Sequence, residues 1–201
     1  MAFVNLKKKE VQIKIVYYGP GRGGKTTNLE FIHNRFNSRI KSEMVTLKTQ
    51  GDRTLFFDFL PFDIGKIKGY DIKIQLYTVP GQVKYDATRR LVLRGTDGIV
   101  FVADSMLIRR EKNISSYQNL KENLLVYKKN LSNLPLVLQC NKIDLAEQGI
   151  PLLPRHVIQK DLGITNGAPS FEASALKGFN VASTLKRIIL LTMTSLKKEL
   201  K

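Results

Sequence analysis

Apolar and polar positions follow two periods along the chain, and each change of period marks a new element. Residues 11–18 (VQIKIVYY) form a β-rich run that stops at a glycine-rich turn, residues 19–24. Over residues 25–37 the pattern becomes helical, with Leu29, Ile32, His33 and Phe36 at steps of three and four. The polar stretch 38–53 has no clear period and reads as a long loop with room for one short strand. Residues 54–60 (TLFFDFL) and 70–79 (YDIKIQLYTV) read as strands. The connection 61–69 is too short for a helical crossover, which predicts an antiparallel hairpin. Another strand is expected over 98–103. An amphipathic helix follows over 114–131, where Tyr117, Leu120, Leu124, Tyr127 and Leu131 share a face and the tyrosines read as core. Residues 134–140 form a continuous apolar run, as expected when both faces of a sheet are covered. A helix opened by Pro154 (155–161), a short strand (169–173) and a closing helix (178–200) complete the series. In the closing helix Val181, Leu185, Ile188 and Leu196 face inward. This alternation predicts an α/β domain: a mostly parallel twisted sheet with one antiparallel edge hairpin and helices on both faces. Such sheets bind ligands at the carboxyl ends of their strands.

With 201 residues and no internal repeat or low-complexity linker, the chain reads as one domain over 1–201, residues 1–10 being a short N-terminal extension. No stretch approaches the roughly 20 apolar residues that span a bilayer. The first nine residues lack the apolar core of a secretory signal, Ala2 excludes N-myristoylation, and the final residues contain no prenylation box. The expectation is a cytoplasmic protein without a lipid anchor. The single cysteine, Cys140, closes an apolar run and reads as a buried strand residue in a reducing compartment.

Charge changes the picture more. Thirty-three Lys and Arg against seventeen Asp and Glu give +16, with a pI near 10.0. A pocket needs few cations, and these come in twos and threes (7–9, 66 and 68, 89–90, 109–110, 128–129, 197–198), so no basic tail exists. Two readings stand: attraction to anionic lipid or an acidic partner, or a solvated basic surface.

The turn Gly19-Pro20-Gly21-Arg22-Gly23-Gly24-Lys25-Thr26 matches G-x-x-x-x-G-K-[ST] between a strand and a helix. Its glycines let backbone N–H groups wrap an anion, and the helix that follows adds its positive end. Lys25 is expected at the β- and γ-phosphates and Thr26 at Mg²⁺, with Thr27 beside it. Arg22, where glycine is common, either reaches a phosphate or points to solvent. The motif specifies a nucleoside triphosphate but not the base.

Asn141-Lys142-Ile143-Asp144 supplies the base. It follows the buried strand directly, so Asp144 can accept from the N1–H and 2-amino groups of guanine, a donor pair that adenine lacks. Asn141 supports the loop and the Lys142 stem lies over the base. Ser174, Ala175 and Leu176 follow the last strand, where a backbone N–H can read the guanine oxygen. His33 and His156 read as a helix-face and a surface residue, and no Cys or His spacing suits zinc.

These elements in this order resemble the Ras-like small GTPase superfamily from residue 11 to the C-terminus. Three longer strings carry a narrower resemblance: Val16-Tyr17-Tyr18-Gly19-Pro20-Gly21 with Gly24-Lys25-Thr26-Thr27-Asn28; Asp52-Arg53-Thr54-Leu55-Phe56-Phe57-Asp58-Phe59-Leu60-Pro61; and Tyr77-Thr78-Val79-Pro80-Gly81-Gln82. They look like the MglA family of bacterial polarity and gliding-motility GTPases. The resemblance implies a switch that binds GTP and GDP with Mg²⁺ and hydrolyses GTP slowly. Gln82 would orient the attacking water, the Gly81 N–H would bond the γ-phosphate, and Thr54 would join Thr26 on Mg²⁺. Arg53 is implied as an internal arginine finger. Thr78 stands where the general Ras pattern has an Mg²⁺-holding Asp, a departure that matches the narrower family, and Asp58 is the candidate to compensate. The implied partners are a Roadblock-domain GTPase-activating protein (MglB-like) at the switch surface, polar effectors and an exchange factor.

Three other readings compete. A nucleotide kinase would leave residues 141–144 unexplained. A nucleic-acid-binding GTPase is suggested by charge alone, and no nucleic-acid partner is expected. A nucleotide-binding scaffold with little hydrolysis draws support from Thr78, whereas Gln82 and Arg53 count against it.

Overall fold

Buried apolar side chains alternate between faces along the central strands, and that alternation builds the layers. The computed structural model describes residues 3–5, 8–36, 44–47, 57–67, 69–81, 85–164 and 167–199. Its strands are β1 (Phe3–Asn5), β2 (Glu10–Tyr18), β3 (Val45–Leu47), β4 (Phe57–Ile67), β5 (Tyr70–Thr78), β6 (Gly98–Asp104), β7 (Leu136–Asn141) and β8 (Ser170–Ala173). Its helices are α1 (Lys25–Arg35), α2 (Asp86–Leu93), α3 (Arg110–Leu125), α4 (Arg155–Leu162) and α5 (Val181–Glu199). Ile13, Ile15 and Tyr17 of β2 pack with Val100 and Val102 of β6 beneath α1 and α5. Val16 and Tyr18 point the other way, with Ile99, Phe101 and Ala103, beneath α2, α3 and α4.

The described strands form one sheet in the order β3-β4-β5-β2-β6-β7-β8, with β1 paired to β2. Neighbours from β5 through β8 run parallel, as the αβ alternation predicts, and β4 is antiparallel to β5. Two further antiparallel pairs add to the expected hairpin. β3, within the polar stretch, pairs with residues 57–59 of β4. β1, within the N-terminal extension, pairs with residues 10–12 of β2. On that edge of β2 the β6 partners begin only at Ile15, so β1 covers an otherwise open segment.

β4 and α3 differ most in extent from the sequence expectation, and α2 lies where no element was expected. β4 continues through Pro61 to Ile67, so most of the supposed 61–69 connection is strand. Pro61 is tolerated because β3 has already ended there and its missing N–H breaks no outer ladder. The register shifts between Asp63 and Gly65, and the Gly65 N–H turns to the Asp63 carboxylate at 2.9 Å. Helix α3 starts at Arg110 and ends at Leu125. Lys128 takes φ +55° after it, so Leu131 falls in a separate 3₁₀ turn. Cys140 is buried and its thiol is pushed up to about 12 by burial, which leaves it unreactive at neutral pH. Among the described residues no helix is long and apolar enough to cross a membrane.

Candidate nucleotide-binding site

The loop from Gly19 to Gly24 joins the carboxyl end of β2 to α1, and two close approaches there leave no room for a Cβ. Gly24 caps α1 at φ +95°, where a Cβ would sit 2.2 Å from Asn141 Nδ2. A Cβ on Gly81 would lie 2.1 Å from the Gly21 Cα, so the segment after β5 touches the loop backbone to backbone. Gly23 donates its N–H to the Pro20 carbonyl at 3.2 Å and tightens the turn. Arg22 is exposed at the rim with φ +61°.

A cleft of ≈ 430 Å³ opens here, lined by residues 22–27, Asp58, Thr78, Val79, Pro80 and Gly81. The first N–H groups of α1 have no partners within the helix and carry the positive end of its dipole. Lys25 is buried, and its Nζ donates to the carbonyls of Gly19 (3.0 Å) and Pro20 (2.7 Å). Burial pushes its ammonium down to about 7; the Arg89 and Arg109 charges add to this and Asp58 opposes it. The cleft therefore has an anion-seeking wall with a lysine that an anion would recharge.

The opposite wall is oxygen-rich. Asp58 of β4 accepts from the Thr26 hydroxyl at 2.6 Å and the Thr78 hydroxyl at 2.9 Å. Mg²⁺ prefers hard oxygens and is commonly held by one or two carboxylates with phosphate oxygens and water. One carboxylate flanked by two hydroxyls fits that ion.

At the end of β7, Asn141 ties three segments together. Its Nδ2 donates to the Gly23 carbonyl at 2.8 Å, and its Oδ1 accepts the Ala175 N–H at 2.8 Å. Lys142, at φ +72°, sends its Nζ to the buried Asp104 carboxylate at 2.7 Å. Asp144 is half-buried with no hydrogen-bond partner for its carboxylate among the described residues. The Ser174 hydroxyl accepts the Lys177 N–H at 3.1 Å, and the Leu176 side chain is exposed.

A model of the Ras family matches residues 14–193. The chain belongs to the Ras family. It is 46% identical over 198 residues to the "Mutual gliding-motility protein MglA" of Myxococcus xanthus (strain DK1622), covering 98% of this chain and 99% of that one. It is thus an MglA-type Ras-like GTPase, and the α/β fold is that of the family.

Within this Ras-family frame the structure ties the phosphate loop at Gly23 to Asn141 and, through Asn141, to Ala175, two of the other segments named from sequence. Arg53, Thr54 and Gln82 lie outside the described residues. Several contributors carry no sequence signature. Arg89 of α2 is buried and donates to the carbonyls of Pro80 (2.8 Å) and Gly81 (2.6 Å) and to Asn119 Oδ1 (2.5 Å). Arg109 donates to the Gly21 carbonyl at 2.5 Å and lies 3.5 Å from Asp104. Asp104 itself had a legible cue: a carboxylate closing the apolar run of β6, at the strand end where ligands bind.

Proposed function

We propose that this Ras-family GTPase binds GTP and GDP with Mg²⁺ in the described cleft and cycles between two states as a switch for bacterial polarity and motility, either gliding or pilus-dependent. The observation that carries the reading is Asn141, which bonds the phosphate loop at Gly23 and the base-side loop at Ala175 from one side chain. A ligand with both a phosphate chain and a base fits such a joint.

In this reading the backbone of Gly19, Gly21, Gly23 and Gly24 cradles the phosphates, Lys25 meets their charge, and Arg22 and Thr27 line the mouth. Asp144 accepts from guanine and Lys142 covers the base. The amide left to read the guanine oxygen is that of Leu176, since those of Ala175 and Ser174 are engaged by Asn141 and Phe179. Mg²⁺ would be held by Thr26, Thr54 and Asp58, and when bound it neutralises charge on the phosphate oxygens. Gln82 orients water in line with the γ-phosphate, Gly81 bonds that phosphate, and Arg53 stabilises the charge that spreads during transfer. The Asp58 carboxylate beside Thr78 argues against a scaffold that holds nucleotide without turnover.

The whole chain works as one domain in this reading, in the cytoplasm and concentrated at a cell pole. The relative's name concerns gliding motility, and that output is carried over here as a proposal. So are a Roadblock-domain activator at the switch surface, polar effectors and an exchange factor. GTP turnover by the purified chain, alone and with its cognate Roadblock-type partner, tests the reading, with ATP as control. Slow, GTP-specific, partner-accelerated turnover is expected; tight GTP binding with no turnover under either condition would establish the scaffold instead.

A further inference from the structure

We propose that Asn28 and Gln139 are positioning residues that aim a phosphate-binding amide of the loop, and so set affinity for the nucleotide's phosphate chain. The inference rests on the guanine-nucleotide reading of the cleft.

Asn28, in the first turns of α1, donates from Nδ2 to the Gly24 carbonyl at 2.8 Å, which also accepts the Asn28 backbone N–H at 3.0 Å. Asn28 Oδ1 in turn accepts from Gln139 Nε2 of β7 at 2.9 Å. Both side chains are wholly buried. A peptide unit is planar and trans, so its C=O and N–H point in opposite directions. Holding the Gly24 carbonyl toward Asn28 therefore aims the Lys25 N–H away from the helix and into the cleft. Asn141 does the same one peptide earlier, because its bond to the Gly23 carbonyl fixes the direction of the Gly24 N–H. Gln139 and Asn141 are two residues apart on β7 and share one face. A single strand face thus orients two consecutive amides of the phosphate loop, and the same strand then runs into Lys142 and Asp144.

The surroundings argue that geometry, rather than stability, is what the pair supplies. It lies among the apolar side chains of the α1–α5 face, including Leu29, Val137 and Ala175. Gln139 Oε1 is buried with no hydrogen-bond partner among the described residues. Apolar side chains of similar volume would pack there without an orphaned acceptor.

The test compares the full chain with the Asn28→Leu/Gln139→Met double variant, measuring dissociation constants for GDP, GTP and GMP and the thermal midpoint without added nucleotide. The expected result is a midpoint equal to or above wild type and a loss of about tenfold for GDP and GTP, the weight of one well-placed hydrogen bond. GMP, which lacks the β-phosphate, is bound as before. Gln139→Asn, one methylene shorter and still polar, should show the same selective loss and serves if the double variant does not fold. Unchanged GDP and GTP affinity, or an equal loss for GMP, overturns the proposal. Wild-type chain that fails to bind GDP or GTP at all would instead remove the reading of the cleft on which it rests.

Discussion

Asp58 and Thr78 hold each other reciprocally: the Thr78 hydroxyl donates to Asp58 Oδ2 at 2.9 Å and accepts the Asp58 backbone N–H at 2.9 Å. They face each other across the β4–β5 ladder, one step on from the Phe59–Tyr77 pair. In the proposed Mg²⁺ site, the negative charge beside Thr78 comes from Asp58 on the neighbouring strand. Asp58→Asn keeps shape and hydrogen bonding but removes that charge. The Mg²⁺ concentration needed to retain GDP should rise by about tenfold, as expected for one charge-assisted contact. Adding Thr78→Asp to that variant should restore much of the loss. Thr78→Asp alone sets two carboxylates side by side; their repulsion in the free cleft is relieved by a divalent cation, so Mg²⁺ retention should hold or improve. A Mg²⁺ titration of GDP release checks all three, and an unaltered Asp58→Asn variant would remove Asp58 from the Mg²⁺ site.

Lys25 gives the cleft a pH signature. Burial comes first in pushing its ammonium from 10.5 down to about 7, with Arg89 and Arg109 lowering it further and Asp58 raising it. Because the folded value is depressed, between about pH 7 and 10.5 the folded chain binds fewer protons here than the unfolded chain, and this group's contribution to stability rises with pH across that window. A bound phosphate reverses the preference by favouring the charged form. GDP binding at about pH 8 should therefore take up nearly one proton, with affinity falling as pH rises further. Titration calorimetry in buffers of different ionisation enthalpy reads the uptake directly; none would mean that Lys25 is already charged in the free chain.

The parts legible from sequence are those in which local pattern and tertiary need coincide. β2, β6 and β7 are covered on both faces, so their apolar runs mark them, and Gly19 and Gly24 sit at approaches too close for a Cβ. Turn-type residues misled where a sheet edge tolerated them, as with Pro61 and Gly65 inside β4. The contacts that shape the cleft join residues far apart in sequence: Arg109 to Gly21, Gln139 to Asn28, Thr26 to Asp58. No periodicity encodes such pairings. Arg89 is the clearest case, since a buried arginine on an amphipathic helix looks like any surface cation until its carbonyl partners are known.

Those partners make Arg89 testable. Its guanidinium spans the Pro80 and Gly81 carbonyls and Asn119, which Asp86 steadies from α2 through the Asn119 amide at 2.8 Å. Arg89→Ala leaves these buried acceptors unsatisfied and should lower unfolding stability by roughly 3 kcal/mol in denaturant titration. Arg89→Lys keeps the charge but loses the fork and should fall between the two. Because Gly81 directly precedes Gln82, single-turnover GTP hydrolysis should drop more in Arg89→Lys than GDP affinity does. Parallel losses would reduce Arg89 to a structural role.

Arg53 and Gln82 carry the proposed chemistry, and their roles separate cleanly from binding. In the proposed site Lys25, Thr26, Asn141 and Asp144 grip the nucleotide, so Arg53→Ala and Gln82→Ala should each leave GTP affinity within a few-fold of wild type. Phosphoryl transfer to water depends on in-line positioning and on neutralising charge that develops only in the transition state. Each variant should therefore lose on the order of 10²-fold or more in turnover, with the Arg53 loss largest in the presence of the activating partner. A Roadblock-type activator that works by bringing Arg53 into place should still bind the Arg53→Ala chain yet fail to accelerate it. Single-turnover rates with and without the partner, beside a binding isotherm for that partner, distinguish this from lost docking. Normal acceleration of Arg53→Ala would mean that the partner supplies the charge itself and that the internal finger does not operate.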